Sequence, residues 1–204
     1  MDTTTPSISR ILEAGGRVAE VRTRAVALPF PLTDLAARLA DREGSVFLLS
    51  GGALESARYD ILGFDPWLQL KGRGRRLTLS VDRTVHRLEM DPLEALRQVL
   101  AYHGGPRPMN AATPLAAGLM GYLAYDLKDV LETLPRTSLD RWQMPHLCLY
   151  APSIVIVHDR RKGETLVHET VRQKDYCRLA PDARRRLDDI AQAPGPDEGF
   201  AVDH

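Results

Sequence analysis

The sequence predicts an α+β domain in which antiparallel β-sheets pack face to face with helices outside. Three observations carry that reading. Short apolar runs with a period of two recur along the chain, as in Leu77, Leu79 and Val81. Turn signals separate these runs, as in Lys71-Gly72-Arg73-Gly74 and Asp159-Arg160-Arg161-Lys162-Gly163. Helical spacing is confined to a few stretches, chiefly Leu93, Leu96, Val99 and Leu100.

In chain order, residues 1–15 read as a flexible lead-in. Residues 17–28 alternate in part and form a first strand, which Pro29 and Pro31 end. Leu32, Leu35, Ala36 and Leu39 fall on one face of a short helix over 33–40. The apolar run 46–49 is a buried strand, and residues 58–64 a second one. From 66 to 89 the chain reads as a series of short strands, with a basic turn at 71–76 and another turn at Asp82-Arg83. Asp91-Pro92-Leu93-Glu94 is a helix start, with Asp91 as cap, Pro92 in the first turn and Glu94 placed for a capping box.

The stretch 115–134 begins small, apolar and glycine-containing. Gly118 and Gly121 point to a buried strand that something approaches closely. Its second half, with Leu127, Val130, Leu131 and Leu134, reads as an amphipathic helix. Asp126, Asp129 and Glu132 are explained by the helix dipole as well as by any metal or acid–base role. Residues 147–157 form a kinked or bulged pair of strands around Pro152, and 165–171 a returning strand on which His168 faces His158. Residues 175–191 read as a polar, arginine-rich helix or pair of short helices around Pro181, and 193–204 as a linker.

Composition narrows the function classes. The 204 residues are 44% hydrophobic, enough for one sizeable core. Lys+Arg and Asp+Glu number 27 each, so no global field favours nucleic acid or an anionic membrane. The basic turn at 71–76 has no interleaved aromatics and reads as a charged hairpin tip. Cys148 and Cys177 are too few for a disulfide framework and lack metal-ligand spacing. No secretory signal core and no run long enough to span a bilayer is present, which suggests a cytoplasmic setting. No phosphate-binding, zinc-binding or nucleophile signature appears.

The most informative stretch is VFLLSGGALESARYDILGFDP, residues 46–66. Two adjacent glycines open a loop between two strands. A hydroxyl (Ser50), a cation (Arg58) and an amphipathic aromatic (Tyr59) flank it, the inventory of a small polar pocket in an apolar wall. On residue types alone a hairpin with a long loop, with Arg58 solvated and Tyr59 half buried, is the better explanation of the stretch, since pockets are few per protein.

Three passages, FLLSGGALESARYDILGFDP, PLAAGLMGYLAYDLKDVLETLP and MPHLCLYAPSIVIVHDR, resemble in order and spacing the N-terminal domain of the anthranilate synthase / aminodeoxychorismate synthase component I family. The likeness extends from Phe47 to Arg160. It implies a division into residues 16–192 as that domain and 193–204 as a linker towards a C-terminal chorismate-binding domain. It further implies that this chain is non-catalytic, with no cofactor of its own. Mg²⁺ and the catalytic residues belong to the missing domain, and a glutamine amidotransferase subunit supplies ammonia. By resemblance Ser50, Arg58 and Tyr59 line a tryptophan-like pocket, with Ala57 standing where the family pattern has serine. Leu48-Leu49-Ser50-Gly51 lacks the glutamate of feedback-regulated anthranilate synthases and is more similar to the aminodeoxychorismate branch, which serves p-aminobenzoate and folate synthesis. The alternatives are the anthranilate branch and a stand-alone amino-acid-binding or interaction module.

Overall fold

The structure is a computed structural model that describes residues 7–52, 56–103, 113–132 and 140–175. Its element order is α1 (Ile8–Gly15), β1 (Val18–Val26), α2 (Leu32–Arg38), β2 (Val46–Leu48), β3 (Tyr59–Arg73), β4 (Arg76–Val81), β5 (Thr84–Glu89), α3 (Pro92–His103), β6 (Met120–Leu123), β7 (Leu147–Asp159) and β8 (Glu164–Arg172). The α+β expectation holds. The strands, expected as packed sheets, are joined in one eight-stranded antiparallel sheet.

Two long strands form its spine. β3 has 15 residues and β7 has 13, and they pair along their whole length, from Tyr59↔Asp159 to Gly72↔Leu147. Each outer edge of this pair is shared by two shorter strands. β2 and β4 divide the free edge of β3, while β8 and β6 divide that of β7. β1 closes one side beyond β8, and β5 the other beyond β4.

The spine is creased in the middle. Pro66 pairs with Pro152, and neither can donate to the ladder. The next pair is Leu68↔Ala151, so Trp67 is an extra residue on β3. In such a bulge two residues oppose one and the alternation shifts phase. Hence the neighbours Trp67 and Leu68 are both buried in one cluster. This crease lets Pro66 and Pro152 lie inside continuous strands, where the sequence suggested breaks at both positions.

Three clusters fill the two halves. Odd-numbered residues share one face of β7. Of these, Leu147, Leu149 and Ala151 join α1, α3 and the inward residues of β4 (Leu77, Leu79, Val81). Val155 and Val157 form a second cluster with Met120. On the opposite face Ile154 and Ile156 pack with Leu62, Phe64 and Val167 under Leu32, Leu35 and Leu39 of α2 and its C-terminal end. The half that carries β2 and β8 is therefore covered on both faces. The half that carries β4 and β5 is covered on one, its other face bearing half-buried Gln69, Lys71, Thr78 and Ser80.

Several local expectations change. Residues 8–15, read as part of a flexible lead-in, form α1, whose Ile8, Ile11 and Leu12 are buried; the sequence signal was a single apolar stripe two turns long. β2 is only half-buried, and Leu48 and Leu49 are exposed, because β2 pairs on one edge alone. Asp91 caps α3 as expected, its Oδ1 accepting the Leu93 and Glu94 N–H groups at 2.9 Å. Glu94 does not complete a capping box; it accepts from Arg97 and Gln98 instead. The amphipathic helix expected after Ala124 is a six-residue 3₁₀ turn, Tyr125–Val130, beyond which Leu131 is exposed. The close approach expected at Gly121 is present, since at φ 147° a side chain there would collide with the Cys148 carbonyl, but its strand is exposed beyond Met120 rather than buried, and Gly118 lies before it. His158 and His168 do not face each other. His158 pairs in register with Thr165, and buried His168 lies between the hydroxyls of Thr23 (2.9 Å) and Thr113 (3.0 Å). Cys148 is a buried free thiol. Cys177, most of the 175–191 helix and the 193–204 linker lie outside the described residues. No helix among the described residues is long and apolar enough to cross a membrane.

Candidate functional site

Ser50, Arg58 and Tyr59 converge at the rim of the doubly covered half. β2 ends at Leu48, and the chain turns outward through Gly52 at φ 77°. The start of β3 draws the loop back. Asp60, buried, accepts the Ser50 N–H on Oδ1 at 2.9 Å, and Ser50 Oγ donates to the Tyr59 carbonyl at 2.7 Å. The serine hydroxyl thus ties the loop to β3 and keeps lone pairs free to accept.

Arg58 is held by the other strand of the spine, at the end of β7 that pairs with Tyr59. The Arg58 Nη2 donates to Asp159 Oδ2 at 2.8 Å, and its Nε is shared between Oδ1 at 3.3 Å and Oδ2 at 3.1 Å, a bidentate pair. The guanidinium carbon lies 4.7 Å from the centre of the Tyr59 ring, within cation–π range. Asp159 is buried and also accepts the Arg161 and Lys162 N–H groups of the turn. The Arg58 hydrogen bonds, reinforced by those N–H groups, hold the Asp159 carboxyl down at about 2. Reciprocally, Asp159 raises the Arg58 guanidinium above its usual range. The next residue, Arg160, reaches the Ser50 carbonyl with Nη1 and lies 3.5 Å from Asp60 Oδ2 through Nε.

The site is therefore a balanced set of two acids and two arginines around one hydroxyl and one aromatic ring. Sequence reasoning found Ser50, Arg58 and Tyr59 and missed Asp60, Asp159 and Arg160. Asp60 sat inside the quoted motif, and Asp159-Arg160 read only as a turn. The register Tyr59↔Asp159 is what joins them. None of the six forms a nucleophile–base pair of the kind covalent catalysis needs. What they provide is a polar, charge-complementary rim with an aromatic wall.

A cavity of about 1000 Å³ opens elsewhere, at the crease, between Arg42, Asp65, Trp67, Asp82, Tyr150 and Arg172. Its charges are largely committed. Arg172 stacks on Trp67 at 4.9 Å, pairs with Asp82 at 2.8 Å and Asp175 at 2.9 Å, and donates to the Gly15 carbonyl. This cavity ties α1 and the end of β8 to the bulge.

No protein-family model matches the chain. Curated relatives do. Anthranilate synthase component 1 of Cereibacter sphaeroides is 34% identical over 178 residues, which is 80% of this chain and 35% of that protein. Aminodeoxychorismate synthase component 1 of Escherichia coli K12 is 27% identical over 137 residues, 66% of this chain and 30% of that protein. The chain spans about a third of the length of the curated relatives it matches. The crystal structure of anthranilate synthase component I from Streptococcus pneumoniae TIGR4 overlaps 84% of this chain and 38% of its own, with a TM-score of 0.49 and 19% identity. Across about four-fifths of its length, the homologues of this chain are the component I proteins of anthranilate synthase and aminodeoxychorismate synthase.

Proposed function

We propose that this chain is the non-catalytic, N-terminal part of a cytoplasmic chorismate-utilising component I, and that its Ser50–Tyr59 rim is an amino-acid pocket of the tryptophan type. The observation that carries the pocket is the convergence of Ser50, Arg58 and Tyr59 with Asp60, Asp159 and Arg160. A zwitterionic aromatic amino acid presents a carboxylate to the arginines, an ammonium to the acids and a ring to Tyr59. Since Asp159 already engages Arg58, the ligand must share or displace that ion pair. The chemistry of the complete enzyme belongs to a chorismate-binding domain with Mg²⁺, and a glutamine amidotransferase subunit supplies its ammonia.

The aminodeoxychorismate branch is the first reading, supported by the absence of a glutamate beside Ser50. The higher identity to an anthranilate synthase component, 34% against 27%, favours the anthranilate branch as the second.

Calorimetric titration of tryptophan into the chain, beside an Arg58→Ala variant, tests the pocket. Saturable heat in the parent, lost in the variant, is the expected result. Absence of binding, with and without a catalytic domain supplied, overturns the pocket. Supplying that domain, chorismate and ammonia tests the enzyme role separately. Anthranilate or aminodeoxychorismate as product decides the branch, and turnover indifferent to this chain overturns the assignment.

A further inference from the structure

At the opposite end of the spine from Ser50, three segments meet around His146. Its backbone N–H donates to the Gly72 carbonyl at 2.8 Å, at the end of β3. Its carbonyl accepts the Ala124 N–H, also at 2.8 Å, just before the 3₁₀ turn. These two bonds fix His146 between the end of β3 and the segment that leads into the Asp126 turn. A ring nitrogen of His146 and one carboxylate oxygen each from Asp126 and Asp140 lie within 4.8 Å of one another.

His146 is 4% exposed. Nδ1 faces the Gly74 N–H at 3.4 Å, and Nε2 is buried with no partner in the protein. An unpartnered buried ring nitrogen is costly as it stands, because a buried polar atom without a partner forfeits its solvation. Asp140 is held in place by the Gln143 N–H at 2.9 Å and by an ion pair with Arg73. That outer support is the kind that orients a ligating carboxylate.

We propose that Asp126, Asp140 and His146 form a binding site for one divalent first-row metal ion of the Zn²⁺ or Mn²⁺ class. One imidazole and two carboxylates are a mixed nitrogen–oxygen donor set suited to such ions. Ligand atoms sharing an ion at bonds of about 2 Å lie within about 4 Å of one another, so the present spread closes with small side-chain rotations. His146 binds through Nε2, and its proton moves to Nδ1. The Gly74 contact, at the outer limit of a hydrogen bond, is all that this displaces. Three protein ligands leave the remaining positions to water or to a group from outside the chain. The ion clamps the 3₁₀ turn, the Asp140 loop and the head of β7 together. This site is independent of the amino-acid pocket and of any Mg²⁺ in a catalytic domain.

The test is titration of the metal-free full-length chain with Co²⁺, followed by its visible absorption, and with Zn²⁺, followed by calorimetry and thermal melting. One equivalent taken up, with a raised melting midpoint, is expected. Asp126→Asn, a half-buried isosteric change, weakens binding at least about tenfold. His146→Ala abolishes it, and Asp129→Asn, whose carboxylate pairs with Lys128, leaves it intact. Should His146→Ala fail to fold, Asp126→Asn decides. No saturable uptake by the parent overturns the proposal, as does uptake that is equal in the parent and Asp126→Asn.

Discussion

The two halves of the creased sheet bury apolar surface differently, and the difference is written in their sequences. On the Ser50 side both faces of β3 and β7 are covered, and β7 reads Ile154-Val155-Ile156-Val157 with no polar residue between. On the other side one face is covered, and β4 alternates Leu77, Thr78, Leu79, Ser80, Val81. A continuous apolar run thus marks strands buried on two faces, and strict alternation marks strands buried on one. The polar rim hangs on the doubly buried half, where the strand ends that position Arg58 and Asp159 are most firmly held.

The largest effect falls next to the crease. Phe64 is fully buried beneath α2, and Phe64→Ala lowers stability by about 3–5 kcal/mol in denaturant titration. Neighbouring pairs then sharpen the contrast. Ile156→Ala loses about 2–5 kcal/mol and Val157→Ala more than about 1 kcal/mol, since each sits in its own cluster. Across the crease Leu79→Ala costs about 2–5 kcal/mol, whereas Thr78→Ala, on the polar face, costs less than about 1 kcal/mol. Equal costs at Leu79 and Thr78 would break the comparison. Outside the sheet, Asp91→Ala removes the α3 cap and costs about 1 kcal/mol in the same assay.

The smallest effect is an acid limb specific to the rim. The Asp159 carboxyl titrates lower in the folded chain than in the unfolded one, so the unfolded state binds its proton first. The stabilisation it brings is complete above the ordinary carboxylate range and is lost as pH falls towards about 2. Asp159→Asn flattens that limb of the stability–pH curve, with its loss spread over partners open to water. An unchanged limb in the variant assigns the acid sensitivity elsewhere.

The element types were legible wherever the local signal was strong. The alternation of β4, the Asp91 cap of α3 and the close backbone approach at Gly121 follow from a few adjacent residues. The reach of β3 and β7 through Pro66 and Pro152 was not legible. Proline argues locally against a central strand, and only the facing of two prolines across a bulge accommodates both. The 3₁₀ turn after Ala124 had a helical apolar stripe, but tertiary hydrogen bonding around His146 decided its geometry. For the rim, Ser50, Arg58 and Tyr59 share one loop and could be read together. Asp159 and Arg160 lie about a hundred residues further on, and long-range register has no local signature.

That distance along the chain also sets a timetable for making the protein. More than seventy residues separate the end of β3 from the start of β7, its partner over twelve residue pairs. At about 5–20 residues per second, a ribosome releases β3 several seconds before β7 exists to meet it. In that interval β2 and β4 guard one edge of β3, and the other stands open to any strand that passes. The nascent chain is most vulnerable to misassociation and most dependent on chaperone cover while residues 74–146 are being synthesised.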